Sequence, residues 1–333
     1  MDFVKERTPK WKLTTPKLEK EINERLFQFI NDISDKPIPN YRGTGIVMTV
    51  YSNVADMALG SLTFLYRELK SKLDCEIFYE FLSDHYIQKY KELGCKVKQF
   101  NNDKLLYNPP VKRTDTNTYW KIIAILESEF EHVLFLDCDN IPLREPSFLF
   151  ESKEYKETGM ILWPDFWTLT GENPLWRILG LECINEKEHE SGQVVVQKSR
   201  LFHQLQVSLY LSMSPDFTIY THGDKETFSL AMRLYNTPYH KIKQNTFVIG
   251  TDLNGFCGMG MLQFYNDPIF MHINFLKYSR KKRFVLDRAL EMKDESILQI
   301  GGCLTAKNGG RTIEVEKEWG YFNHKLVEAY IDI

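Results

Sequence analysis

Two aspartates one residue apart, Asp137 and Asp139, close the apolar run His132-Val133-Leu134-Phe135-Leu136. In an extended chain, residues i and i+2 point to the same side, so the pair presents two carboxylates together. Paired carboxylates are hard oxygen donors that suit Mg2+ or Mn2+. A divalent ion there would neutralise a diphosphate and favour its departure. Alone, Asp-x-Asp is a weak signal, because a solvated strand end or a helix cap uses the same residues. Its position strengthens it: an open α/β sheet binds ligand at the carboxyl ends of its strands.

The flanking sequence must supply such a sheet. Residues 45–51 form a short β-branched run, followed by Ala55, Ala58, Leu59, Leu62, Leu65 and Leu69 at helical spacing. Apolar runs at 75–79 and 97–100 bracket a short helix over 84–93 that ends at Gly94. A further helix over 119–130 feeds the strand before Asp137. Alternating strands and helices are the rhythm of parallel βαβ units. Beyond Asp139, strands are expected at 159–163, 193–197, 247–249 and 269–272, and helices at 198–211, 225–235, 282–292 and 319–330. The fold class is α/β: one domain over residues 43–333 with a mixed, mostly parallel central sheet flanked by helices. Residues 1–42 form an N-terminal helical extension. Its apolar face, Ile22, Leu26, Phe29, Ile30 and Ile33, either packs on the domain or serves as a partner-binding or stalk helix. Neither G-x-G-x-x-G nor G-x-x-x-x-G-K-[ST] occurs, which disfavours a dinucleotide site and a P-loop.

Composition removes several classes. The 333 residues carry 42 basic and 45 acidic side chains, a net charge of −3, so no global basic field holds nucleic acid. The longest apolar stretch, 46–65, is interrupted by Ser52, Asn53 and Asp56, so no transmembrane segment is expected in this chain. The charged start, Met1 to Arg7, has no apolar segment behind it and does not resemble a secretory signal. A soluble chain is expected, cytosolic if it works unanchored. Aromatic residues at 14% favour a ligand that stacks on rings. Cys75, Cys95, Cys138, Cys183, Cys257 and Cys303 include no C-x-x-C pair, and a chain of this length needs no staples, so they are read as free thiols.

Taken with their neighbours, these residues resemble a known family. Gly45-Ile46-Val47-Met48-Thr49, Tyr119-Trp120-Lys121-Ile122, Val133 to Pro142 around the two aspartates, Ile161-Leu162-Trp163-Pro164-Asp165, Glu190-Ser191-Gly192-Gln193, Gly223-Asp224-Lys225-Glu226-Thr227-Phe228 and Met271-His272-Ile273-Asn274-Phe275-Leu276-Lys277 follow in order. Together they resemble retaining GT-A glycosyltransferases, above all the fungal alpha-mannosyltransferase family that includes the alpha-1,2-mannosyltransferases branching N-glycan outer chains. The likeness to glycogenin-like transferases is more distant. The resemblance implies a GT-A fold, a divalent metal (usually manganese), GDP-mannose as donor and a glycan as acceptor. A UDP-sugar donor on the same fold and a catalytically silent glycan- or nucleotide-binding module are the rival readings. Members of that family are typically held in the Golgi membrane by an N-terminal helix.

Roles follow from chemistry sharpened by this resemblance. Asp137 and Asp139 would hold the metal, and His272 would complete the set, an oxygen and imidazole mixture that suits Mn2+ better than Mg2+. Lys277 would bind the donor diphosphate as a point charge. Arg280, Lys281, Lys282 and Arg283 read as a solvated face or as added diphosphate affinity. Thr49 and Tyr51 lie where the nucleoside would sit. The Lys121 position contacts the donor in the resemblance and is otherwise a snorkelling helix lysine. Gly192 would let backbone approach the ligand closely, and Gln193 would bond sugar hydroxyls or the anomeric centre. Asp224 either caps its helix or holds a hydroxyl of donor or acceptor. Retaining transfer needs a carboxylate nucleophile or front-face attack, and Glu190 and Asp224 are the carboxylates for the first route. Trp163 and Asp165 are assigned to the acceptor or sugar site, and Trp167 to packing.

Overall fold

Residues 14–107, 117–184, 186–221, 223–252, 255–275, 285–293, 297–300, 302–320, 325 and 328 are described by a computed structural model. The chain opens with α1 (Pro16–Ile33), whose start is set by Pro16 in the first turn and by Thr15, the hydroxyl of which accepts from the Leu18 amide at 3.3 Å. Ile22, Leu26 and Ile33 are buried against Leu175, Ile178 and Leu179.

The first sheet begins β1 (Thr44–Thr49), α2 (Ala55–Arg67), β2 (Asp74–Tyr79), α3 (Asp84–Glu92), β3 (Lys96–Gln99), α4 (Trp120–Glu127) and β4 (His132–Leu136). β3, β2, β1 and β4 are mutually parallel neighbours in that order. The two-residue period decides which layer each side chain joins. Ile46, Met48, Leu134 and Leu136 pack with α2, whereas Val47, Val133 and Phe135 pack with α4. After Asp139 come β5 (Asn140–Pro142), α5 (Lys153–Thr158), β6 (Met160–Pro164), α6 (Leu175–Leu179), β7 (His189–Gln197), α7 (Lys198–Met213), α8 (Lys225–Leu234) and β8 (His240–Lys241). Gly159 ends α5 at φ +75°, a left-handed cap that glycine adopts without strain. β7 runs antiparallel to both β4 and β6, and the full order is β3-β2-β1-β4-β7-β6-β8. This mixed central sheet flanked by helices, with Asp137-x-Asp139 at a strand end, is the architecture the sequence implies.

A second, antiparallel sheet was not anticipated. It contains β9 (Phe247–Asp252), β10 (Phe256–Tyr265), β11 (Asp267–His272), β12 (Arg288–Met292), β13 (Ile297–Ile300), β14 (Cys303–Ala306) and β15 (Gly310–Glu314), before α9 (Val315–Trp319). β12 corrects the helix expected over 282–292: residues 288–292 pair with β9 and β15. Leu286, Ala289 and Leu290 fit a helical spacing, but long-range pairing overrides that local pattern. Of the helix expected over 319–330, Trp319 ends α9 at Gly320, φ +64°, Lys325 and Glu328 are helical, and the other positions from 321 to 330 lie outside the described residues. The cysteine reading is corrected too. Cys257 and Cys303 form a disulfide between β10 and β14, while Cys75, Cys95, Cys138 and Cys183 are free. No described helix is long and apolar enough to cross a membrane.

Candidate active site

The site lies where the two sheets meet. β4 ends at Leu136, and the chain crosses through Asp137, Cys138 and Asp139 into β5, which belongs to the second sheet. There β5 pairs antiparallel with β11, with Asn140 opposite His272. The Ile273 amide also donates to the Asp139 carbonyl at 2.8 Å. This register brings together residues far apart in the chain. Ligand atoms of Asp137, Asp139 and His272 all lie within 4.8 Å of one another, the one such group of acids, histidines and cysteines found among the described residues.

β7 supplies the next layer. Because it runs against β4, its beginning rather than its end faces Asp137, with Gln193 opposite Leu136. The Asp137 amide donates to the Gly192 carbonyl at 2.8 Å. The Gly192 amide in turn donates to Glu190 Oε1 at 2.7 Å. His272 stands between two carboxylates: Nε2 is 3.2 Å from Asp139 Oδ1 and Nδ1 is 3.0 Å from Glu190 Oε1. Gly192 is small for a steric reason, since a β-carbon there would fall 2.5 Å from His272 Nδ1.

Lys121 is not a snorkelling lysine. It is buried on α4 and donates to Asp137 Oδ2 at 3.0 Å, Ser191 O at 2.8 Å and Ser191 Oγ at 3.0 Å. Asp224 Oδ2 lies 3.3 Å from the same ammonium. Burial works against that charge, but Asp137, Asp224 and Glu190 outweigh it and hold Lys121 above its ordinary value. Asp224 precedes α8, yet its side chain makes no capping bond. Burial pushes its carboxyl up to about 6, with Lys121 opposing and Asp137 adding. For Glu190, burial pushes upward, but His272 and Lys121 pull the carboxyl down to about 2. Desolvation raises Asp137 despite Lys121.

Other expected residues sit elsewhere. Thr49 is buried, and its carbonyl accepts from Cys138 Sγ at 3.0 Å. Tyr51 is half-buried at the end of β1 against the α4 side of the core, and burial raises its phenol. Gln193 is fully buried, its amide engaged with Asn140 on one side and Gln263 on the other. Trp163 is a correction. It is 0% exposed, packs edge-on against Phe270 and donates to the Phe264 carbonyl at 2.8 Å, so its ring faces the core. Trp167, assigned to packing, is 49% exposed. Asp165 is buried, with Oδ2 2.5 Å from Lys225 Nζ, and burial pushes its carboxyl up to about 6 against the pull of Lys225. Lys277 lies outside the described residues, as do Arg280, Lys281, Lys282 and Arg283.

One neighbouring group was missed in the sequence. Lys225 Nζ is 2.7 Å from Glu188 Oε2 and 3.7 Å from Glu226 Oε1, in addition to Asp165. A lysine so buried needs several acids. The available signal was Glu188 and Glu190, one residue apart at the start of a strand.

The model of a family described as "Mannosyltransferase putative" matches residues 43–189 and 181–265. The alpha-1,2-mannosyltransferase MNN22 of Candida albicans is 26% identical over 285 residues, covering 69% of this chain and 48% of that protein. MNN2 of Saccharomyces cerevisiae, another alpha-1,2-mannosyltransferase, is 26% identical over 190 residues, covering 43% of this chain and 32% of that protein. The chain therefore spans half or less of the length of these curated relatives. Among solved structures, the mannosyltransferase Ktr4p of S. cerevisiae aligns with a TM-score of 0.41 and 11% identity, over 64% of this chain and 75% of that one.

Proposed function

The chain belongs to this mannosyltransferase family, and on that premise we propose that it transfers a mannosyl group from GDP-mannose to a glycan acceptor, forming an alpha linkage with retention. The observation that carries the reading is the convergence of Asp137, Asp139 and His272 within 4.8 Å at the end of β4. Two carboxylates and an imidazole are a donor set that fits Mn2+, with Mg2+ second. Once bound by these three residues, such an ion supplies charge stabilisation for a departing diphosphate.

The chain's own residues do the rest. Lys121, anchored on Ser191, contacts Asp137 and Asp224 directly and opposes the upward shift of both carboxyls. Asp224 is the carboxylate suited to the reacting sugar, because it neither caps its helix nor belongs to the metal set. It either attacks the anomeric carbon, forming a glycosyl ester while GDP leaves, or holds a hydroxyl during front-face attack. Gln193, between Asn140 and Gln263, stiffens the crossing that carries Asp139. Thr49 and Tyr51 are assigned to the nucleoside end, and Lys277, on the family resemblance alone, to the diphosphate. Asp165 and Trp167 mark the acceptor side. The Cys257–Cys303 disulfide favours an oxidising compartment over the cytosol. Alkylating the chain as purified from its native host, without reductant, tests this, and free thiols at both positions would refute it.

The decisive experiment incubates the protein with Mn2+ and a panel of sugar nucleotides, following nucleotide release and sugar transfer. GDP-mannose should be consumed, and Asp139→Asn should reduce turnover by about 100-fold or more. Turnover of a UDP-sugar instead, or full activity of Asp139→Asn, would sink the proposal.

A further inference from the structure

Glu190 and Asp224 begin as equal candidates for the carboxylate that meets the sugar, and their surroundings separate them. Glu190 is buried, and Oε1 is already committed on two sides. It accepts from the Gly192 amide at 2.7 Å and lies 3.0 Å from His272 Nδ1. The opposite nitrogen, Nε2, faces Asp139 at 3.2 Å. An imidazole has two nitrogens, and the partner of one decides which way the other points. Histidines that ligate metals generally donate their second N–H to a carboxylate or carbonyl, which fixes the ring and raises its basicity.

We infer that Glu190 is a positioning residue for His272: it anchors Nδ1 so that Nε2 is aimed at the space bounded by Asp137 and Asp139. The inference rests on reading those three residues as the metal-binding set. It removes Glu190 from the search for a nucleophile. The same carboxylate also braces the 190–192 turn, whose Gly192 carbonyl accepts from the Asp137 amide at 2.8 Å. One side chain therefore sets the direction of His272 and, through two hydrogen bonds, the backbone that carries Asp137.

The test is a Mn2+ titration of the whole protein, read by electron paramagnetic resonance as loss of the free-ion signal, with and without GDP. Thermal melting in EDTA runs in parallel. Glu190→Ala should weaken Mn2+ binding by about 10- to 100-fold while the EDTA melting point stays close to that of wild type. In Glu190→Gln an uncharged amide oxygen faces Nδ1 and accepts from Gly192, so its affinity should fall between the two. His272→Ala should lose the site. If Glu190→Ala binds Mn2+ within twofold of wild type while His272→Ala does not, the positioning role is wrong and the metal site stands. If His272→Ala binds as wild type does, or wild type binds no Mn2+, the metal reading itself fails and takes this inference with it. Should Glu190→Ala not fold, Glu190→Leu, which offers no acceptor to Nδ1, takes its place: wild-type affinity there overturns the role.

Discussion

Gly192 and His272 are in steric register: a β-carbon on the glycine would fall 2.5 Å from Nδ1 and 2.6 Å from Cε1 of the imidazole. No side chain fits there unless the ring moves. Gly192→Ala should therefore displace His272 and lower Mn2+ affinity at least about tenfold, with turnover falling by about 100-fold. Metal titration and initial rates check this. Unchanged affinity would refute the steric role assigned to Gly192.

Lys121→Met leaves Asp137 and Asp224 facing each other in a buried site without their shared cation. Breaking such a pairing costs about 3–5 kcal/mol, so melting temperature should drop markedly at neutral pH. Lys121 now restrains the upward shift of Asp224, so its loss should carry that carboxyl above about 6. If the ionised form works, activity rises with pH through the Asp224 value, and in the variant this acid limb moves to higher pH. A pH profile of kcat/KM measures it, and a limb that stays put would exclude Asp224 as its source.

Lys198 offers a prediction about stability alone. It is fully buried, with Nζ 3.5 Å above the Tyr41 ring and donating to the Ser128 carbonyl at 2.6 Å. Burial, aided by Lys104, pushes it down to about 6, against about 10.4 in an unfolded chain. Between these values the unfolded state binds more protons, so stability rises with pH across that window and is lost as pH falls towards 6. Lys198→Met lacks this dependence. Its stability advantage should be largest near pH 6, several kcal/mol at the full shift, and should vanish by about pH 10. A constant difference across pH would refute the assignment.

The two tryptophans beside Asp165 should behave oppositely. Trp163→Ala opens a core cavity and should cost about 3–5 kcal/mol. Trp167→Ala should leave unfolding within about 0.5 kcal/mol of wild type and, if its ring meets the acceptor, raise KM for the acceptor but not for the donor. Denaturant titration and two-substrate kinetics separate these outcomes.

What the sequence revealed was local. The Asp137 and Asp139 pair is visible because an apolar strand leads straight into two acids of the same parity. The helices over α1, α2 and α7 are visible because their apolar residues keep a helical period. What it concealed was long-range pairing. His272 reaches Asp139 only through the register of β11 on β5. β10 was largely overlooked because Gly258 and Gly260 interrupt its pattern. Those glycines answer close contacts: a β-carbon at Gly260 would fall 2.3 Å from the His272 carbonyl. The disulfide follows from the same hidden neighbourhood, since Gly258 lies opposite Leu304. Trp163 is buried and Trp167 exposed because β6 continues to Pro164, leaving Trp163 inside the sheet and Trp167 beyond its end.

The reversed direction of β7 has an evolutionary consequence. The residues facing the metal set come from the end of one strand and the first half of its antiparallel neighbour, which is paired to β4 from Gln193 onward and to β6 at His189 and Glu190. The connection between β6 and β7, by contrast, carries only the short α6 and no strand among its described residues. Loops of this kind accept insertions and substitutions readily. On the proposed function, changes in this connection would alter acceptor preference while the Leu136 to Gln193 register is kept.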